Sequence, residues 1–177
     1  MKTAILLGLP ALLLAMTAAA AAPAKGAGDT SIARGRHLVQ LGGCNDCHTP
    51  GWSEHGGSAP KTLLLTGGGL AFQGPWGTTY PINLRLQVQE MDAKTWVKSV
   101  RTTRARPLMP WWTFRYLSDA DITAMYNYIH ALGPAGKPAP AWVPPGGKAT
   151  PPYMKLVMPA AMHKSAGQKT ARASGQH

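Results

Sequence analysis

Residues 42–50 read GGCNDCHTP and hold both cysteines of the 177-residue chain, three positions apart, with His48 directly after the second. Three chemistries use such a pair: a dithiol redox couple, a zinc site, or thioether bonds to a porphyrin. Structural zinc takes four ligands, usually as two closely spaced pairs. No third cysteine exists, and His37 and His55 do not form the short-spaced histidine pair that would complete the set. A thioredoxin-like dithiol sits between a strand and a helix. Here a helical pattern precedes the pair, and TPGWSEHGGSAP (49–60), a loop by composition, follows it. C-x-x-C-H is the attachment signature of c-type haem. Thiols about one helical turn apart can both add to the vinyl groups of one porphyrin, and the next imidazole is then held beneath the iron. The motif predicts one covalent haem c on Cys44 and Cys47, with His48 as an axial ligand.

A methionine sulfur is the usual sixth ligand in haem electron carriers. Beyond the N-terminal segment the chain offers Met91, Met109, Met125, Met154, Met158 and Met162. Met109 lies in RARPLMPWW (104–112), between Pro107 and Pro110, where a regular helix cannot form. A stiff loop presenting one thioether is what an axial methionine requires, so Met109 is the expected partner of His48. Met125 falls inside a helical pattern and Met91 at a helix start, and both read as packing. Met154, Met158 and Met162 lie at helical spacing, and a copper(I) site is the less favoured reading beside packing.

The first 26 residues, MKTAILLGLPALLLAMTAAAAAPAKG, pair Lys2 with an apolar run and end in small residues. That is the layout of a secretory signal peptide, expected over 1–22 with cleavage near Ala20 to Ala22. The alternative is an uncleaved anchor, although the apolar run falls short of the roughly 20 residues of a membrane span. A periplasmic location follows, and it agrees with haem attachment outside the cytoplasm. The formal net charge is +11. From Pro134 onward there are six positive residues and no acid. Such a balance favours acidic partners or anionic surfaces. Nucleic acid is excluded as a partner, because the compartment is wrong and no recognition motif is present. With few large aliphatics and many Gly and Pro, one small domain would gain from a cofactor in its core.

Three helices are predicted. The first covers Asp29 to Leu41, capped by Ser31 or Thr30 and ended by Gly42-Gly43. The second covers Asp92 to Val100 with Asp92 as cap. The third covers Ser118 to Leu132, with Ser118 and Asp121 as a capping-box variant and Gly133-Pro134 as its stop.

Helix, haem motif, glycine-rich loop, helix, methionine loop, helix is an order shared with a known family. CNDCHTPG (44–51), GPWGTTYPINL (74–84) and PLMPWWTFRYLSDADITAMYNYIHALGPAGKPAPAWVPPG (107–146) resemble class I, single-haem cytochromes c. The likeness is to bacterial periplasmic cytochrome c domains of dehydrogenase electron-transfer chains. The resemblance implies an all-α fold, with three main helices and long loops around one haem. It implies a cytochrome c domain over 23–133 and a Pro-rich arm over 134–158 anchored by Trp142 and Tyr153; by composition, a basic, disordered tail is expected over 159–177. It implies an electron carrier rather than an enzyme, whose redox partners are acidic proteins such as a dehydrogenase or terminal oxidase, one of them in a membrane-associated complex. Gly35 becomes the small residue at which the first and last helices cross, with Met125 and Tyr128 near it. Pro60 becomes the carbonyl that accepts the His48 N–H. Asn83 has no assigned role, because the Thr-Pro-Asp segment that often follows it is replaced by LRLQVQ (84–89).

Trp76, Tyr80, Trp96, Trp111 and Trp112 read as pocket or core aromatics, some able to donate to a haem propionate. Arg101, Arg104 and Arg106 precede Met109 and are expected around the exposed haem edge, or else as solvated charges. Two further readings stay open. One is a haem enzyme or gas sensor with a labile sixth ligand and His55 or His130 nearby. The other is a cytochrome subunit fixed in a dehydrogenase or oxidase complex.

Overall fold

The computed structural model describes residues 26–157 and Pro159. The signal-peptide expectation, Met158, and the tail from Ala160 with Met162 and His163 lie outside the described residues.

The longest helix, α1 (Ala27–Leu41), begins two residues earlier than its sequence suggests. No side chain caps it; Thr30 Oγ1 instead donates to the Ala27 carbonyl at 2.8 Å, inside the first turn. Gly42 and Gly43 end it, and Gly43 (φ +64°) turns the chain into the short helix α2 (Cys44–His48). Farther on come the single turn α3 (Leu84–Gln87) and helix α4 (Ala93–Thr102), whose Asp92 cap accepts from the Thr95 N–H at 2.7 Å. A 3-10 helix (Trp111–Tyr116) leads to α5 (Asp119–Ala131). Both halves of the capping box form: Ser118 Oγ accepts from the Asp121 N–H, and the Asp121 carboxylate accepts from the Ser118 N–H.

The core lies where α1, α4 and α5 meet, around Leu38, Val39, Leu65, Val88, Trp96, Ile122, Met125 and Ile129. Gly35 is the crossing point. A methyl group built there would sit 1.9 Å from the Ala124 carbonyl oxygen and 2.9 Å from Tyr128 Cβ, so only glycine lets the two backbones approach. Arg34 and Asp121 bridge the same pair of helices at 3.0 Å.

A three-stranded sheet adds to the all-helical expectation without displacing the helices. β1 (Ala71–Gly74) and β2 (Gly77–Thr79) form a hairpin across Pro75-Trp76, and β3 (Tyr153–Lys155) runs parallel to β1, giving the order β2-β1-β3. Strands of three or four residues are too short to show alternation. One of them also comes from the proline-rich stretch expected as an anchored arm rather than as a strand. Among the described residues no helix is long and apolar enough to cross a membrane.

Candidate functional site

Cys44, Cys47 and His48 share α2, and the C-terminus of that helix is locked from below. Thr49 Oγ1 donates to Asn45 Oδ1 at 2.8 Å and accepts from the Leu65 N–H at 2.9 Å. The Gly67 N–H donates to the His48 carbonyl at 2.9 Å. Leu65 is fully buried with φ 58°, an unusual conformation for a non-glycine residue, and its carbonyl accepts the N–H groups of Leu84 and Arg85. Gly68 fits only because it lacks a side chain: a Cβ there would lie 2.6 Å from the Cys47 carbonyl and 2.7 Å from Pro81. The glycine loop 67–69 therefore seats segment 81–83 directly on α2.

That seating decides the chemistry of His48. Its Nδ1–H donates to the Ile82 carbonyl at 2.8 Å. Pro60, the carbonyl expected from the resemblance, accepts from the Leu63 N–H instead. With Nδ1 committed as a donor, the imidazole is the tautomer whose Nε2 carries the lone pair, the arrangement typical of a metal-ligating histidine. Burial lowers the His48 pKa, the Ile82 bond opposes that, and the net shift is down. Burial thus favours the neutral ring, the form a ligand needs.

Both thiols are free and half-buried. Burial pushes Cys44 up to about 11, and burial with the nearby Asp46 charge raises Cys47 as well. Reactive dithiols show the opposite shift, so the redox-couple reading loses support. The zinc reading loses it too: among the described residues no group of three or more His, Cys, Asp and Glu side chains comes together.

Among the methionines, Met125 is buried in the core and Met91 packs against it, while Met154 lies exposed on β3. Met109 is half-buried in the loop between α4 and the 3-10 helix and does not belong to that core. Its N–H donates to the Arg106 carbonyl at 3.3 Å, and its carbonyl accepts from the Trp111 N–H at 2.9 Å. Thr79 Oγ1 donates to the Pro107 carbonyl at 3.0 Å, which joins the methionine loop to β2. Three residues on, Ile82 holds His48. Thr79 and Ile82 are separated by at most about 11 Å of extended chain. One short segment therefore supports both candidate axial ligands.

The donor set fits a c-type haem: two thiols and an imidazole on one helix, and a thioether not consumed by core packing. Two buried indole N–H groups, on Trp76 and Trp96, have no acceptor among the described residues. Orphaned buried donors are costly, and an anionic substituent on a bound group would satisfy one.

Tyr80 is already occupied, since its hydroxyl donates to the Thr150 carbonyl and accepts from the Thr150 N–H. Trp111 and Trp112 line a cleft of about 440 Å³ with Arg101, Arg104 and Arg115. Of the three arginines expected around the haem edge, Arg101 has a different task. It bridges Asp119 at 2.7 Å and donates to the carbonyls of Phe114 and Leu117, bracing α4 against the start of α5. Arg104 stacks over Trp111 and Arg106 over Trp142. His55 and His130 are surface groups, the first bonded to the Gly51 carbonyl and the second stacked on Tyr126.

Two buried polar residues carry no signature in the sequence. Asn83 caps α3 and donates to the carbonyls of Ala135 and Lys137. Arg85 is 5% exposed and donates to the carbonyls of Lys61, Leu132 and Gly133, at the C-terminal end of α5 where the helix dipole favours a cation. Asn83 lies within GPWGTTYPINL (74–84) but has no role assigned there, and Arg85 belongs to no motif.

No protein-family model matches the chain, and no solved structure matches it. Two curated proteins are similar to part of it. The chain is 31% identical over 120 residues to a nicotinate dehydrogenase subunit from Pseudomonas putida. It is 29% identical over 122 residues to the gluconate 2-dehydrogenase cytochrome c subunit of Pantoea cypripedii. The matched stretches make up 62% and 63% of this chain but only 9% and 25% of those relatives' own lengths.

Proposed function

We propose that this chain is an electron-transfer cytochrome c module that serves a dehydrogenase assembly outside the cytoplasm. In this reading Cys44 and Cys47 hold a single haem c, and His48 and Met109 are its axial ligands. The observation that carries it is the His48 Nδ1–H bond to the Ile82 carbonyl at 2.8 Å, on the same helix as the two thiols. A bound haem supplies a one-electron ferric–ferrous couple. The chain does the rest. The Ile82 bond fixes the imidazole tautomer and its orientation. The Met109 thioether favours the reduced metal relative to a second histidine. Segment 79–82 supports His48 through Ile82 and the methionine loop through Thr79, so these side chains would rearrange little if a bound haem changed oxidation state.

Service to a dehydrogenase is favoured over a free shuttle because both relatives are named as dehydrogenase subunits. Oxidation of the dehydrogenase substrate then takes place on another subunit, and this chain is a carrier rather than an enzyme. A basic segment suits an acidic partner: apart from Arg101, which pairs with Asp119, residues 93–118 hold Lys94, Lys98, Arg104, Arg106 and Arg115 and no acid. Such a field steers association.

The test is purification of the native protein from its host at low salt. The expected result is a red protein that co-elutes with a dehydrogenase and is reduced when that enzyme's substrate is added. A haem protein recovered alone and unresponsive to any co-extracted dehydrogenase would contradict the assembly. Rapid CO binding to the reduced wild type, with no sulfur-to-iron absorption band in the oxidised form, would favour the enzyme or sensor reading.

A further inference from the structure

The chain after α5 folds back along the segment that supports both candidate ligands. Asn83 Nδ2 donates to the Ala135 and Lys137 carbonyls at 2.7 and 3.2 Å. Val143 pairs with Thr78 through two backbone bonds of 2.8 and 3.0 Å. Trp142 Nε1–H donates to the Trp76 carbonyl at 2.9 Å. Thr150 closes on Tyr80, and β3 pairs with β1. Residues 71–83 are thus gripped on one side by the arm, while Ile82 holds His48 and Thr79 holds Pro107 on the other. Gly77 permits this approach, because a Cβ there would lie 2.2 Å from the Val143 carbonyl.

One contact runs from the arm to the methionine loop itself. The Arg106 guanidinium carbon lies 4.0 Å from the centroid of the Trp142 ring, a cation–π geometry. Arg106 also begins the turn that presents Met109, since its carbonyl accepts the Met109 N–H. Trp142 is itself fixed, by its indole bond and by the neighbouring Val143 bridge. The ring is therefore a rigid seat and the arginine the movable part.

We propose that Trp142 is a positioning residue for Met109, acting through Arg106 as a latch that holds the methionine loop against the body of the domain. The inference rests on the haem reading above, and it assigns the proline-rich arm a role in retaining the sixth ligand. Without the latch the loop opens more often, and the thioether leaves its place more often. A cation–π contact at a partly exposed site biases such an equilibrium by about fivefold.

The experiment compares the haem-loaded wild type with W142A, W142F, R106A and the W142A/R106A double variant. Expected are a weakened sulfur-to-iron band in ferric W142A and R106A, and CO combination with the ferrous forms about fivefold faster than in wild type. The double variant should be no worse than either single one, because both remove the same contact. W142F keeps a ring face for Arg106 and should return most of the wild-type behaviour. A second readout does not depend on haem: trypsin should cut the Arg104–Ala105 bond about fivefold faster in purified W142A. A haem-loaded W142A that matches wild type in band, CO rate and Arg104 cleavage overturns the latch and leaves the haem reading standing. So does full additivity of the two single variants. A wild type without covalent haem removes the haem reading, and the Arg104 cleavage rates then decide the latch alone.

Discussion

Thr49 closes the turn that carries the two cysteines, because its hydroxyl both donates to Asn45 and accepts from the Leu65 N–H in a buried setting. Thr49→Val keeps the shape and removes both bonds, leaving the Leu65 N–H orphaned. The expected loss is about 1–3 kcal/mol, read as a lower denaturant midpoint at unchanged slope; an unchanged midpoint would contradict it. The residues of the motif are legible in the sequence because C-x-x-C-H has a fixed spacing, the one that the proposed attachment of a haem would require. The partner of His48 is not. Any residue offers a carbonyl, and the choice of Ile82 over Pro60 depends on glycine packing at positions 67 and 68 that only the folded chain reveals. Arg101 departs from expectation for a similar reason: its acid, Asp119, lies eighteen residues away and becomes a neighbour only when α4 meets α5.

At the scale of elements, the α1–α5 crossing depends on one missing side chain. Gly35→Ala places a methyl group 1.9 Å from the Ala124 carbonyl, so the helices must separate. The expected cost is about 3 kcal/mol or more, measured by thermal or denaturant unfolding; a stabilised variant, as helix propensity alone would give, would refute the crossing. The capping box makes a pH-dependent contribution. The hydrogen bond from Ser118 and the bond from Arg34 hold the Asp121 carboxyl below its ordinary value. A depressed folded-state value means that this stability is fully present above about pH 4 and is lost as the pH falls through the folded-state value. D121N should therefore be less stable than wild type at neutral pH, and the difference should shrink as the solution is acidified through that value. A difference that stays constant would show that the charge plays no part. Caps and periodicity make α4 and α5 readable. The sheet is hidden because its third strand comes from a stretch rich in proline, and its pairing is set by partners some eighty residues away.

Over the whole molecule, charge and connectivity act together. Arg104 and Arg115 border the cleft beside Trp111 and Trp112, next to the methionine loop, and neither is paired with an acid among the described residues. Reversing both to glutamate should slow oxidation of the reduced protein by anionic ferricyanide at low salt. The effect should fade as ionic strength passes about 0.15 M. Lys148→Glu, on the arm, should leave the rate nearly unchanged; equal slowing would mean that only net charge matters. The basic excess is visible in the composition, and the α1–α5 crossing at Gly35 is what the family resemblance implies. The return of the arm over residues 71–83 is not, since extended proline-rich chain reads the same whether free or docked. The most direct measurement is the intact mass of the denatured protein after export in a host that matures c-type cytochromes, beside the C44S/C47S variant. The expected wild-type mass exceeds the bare chain by one haem that survives denaturation, and the variant carries none. A colourless wild type at the mass of the bare chain, with both thiols free, would contradict the proposed site.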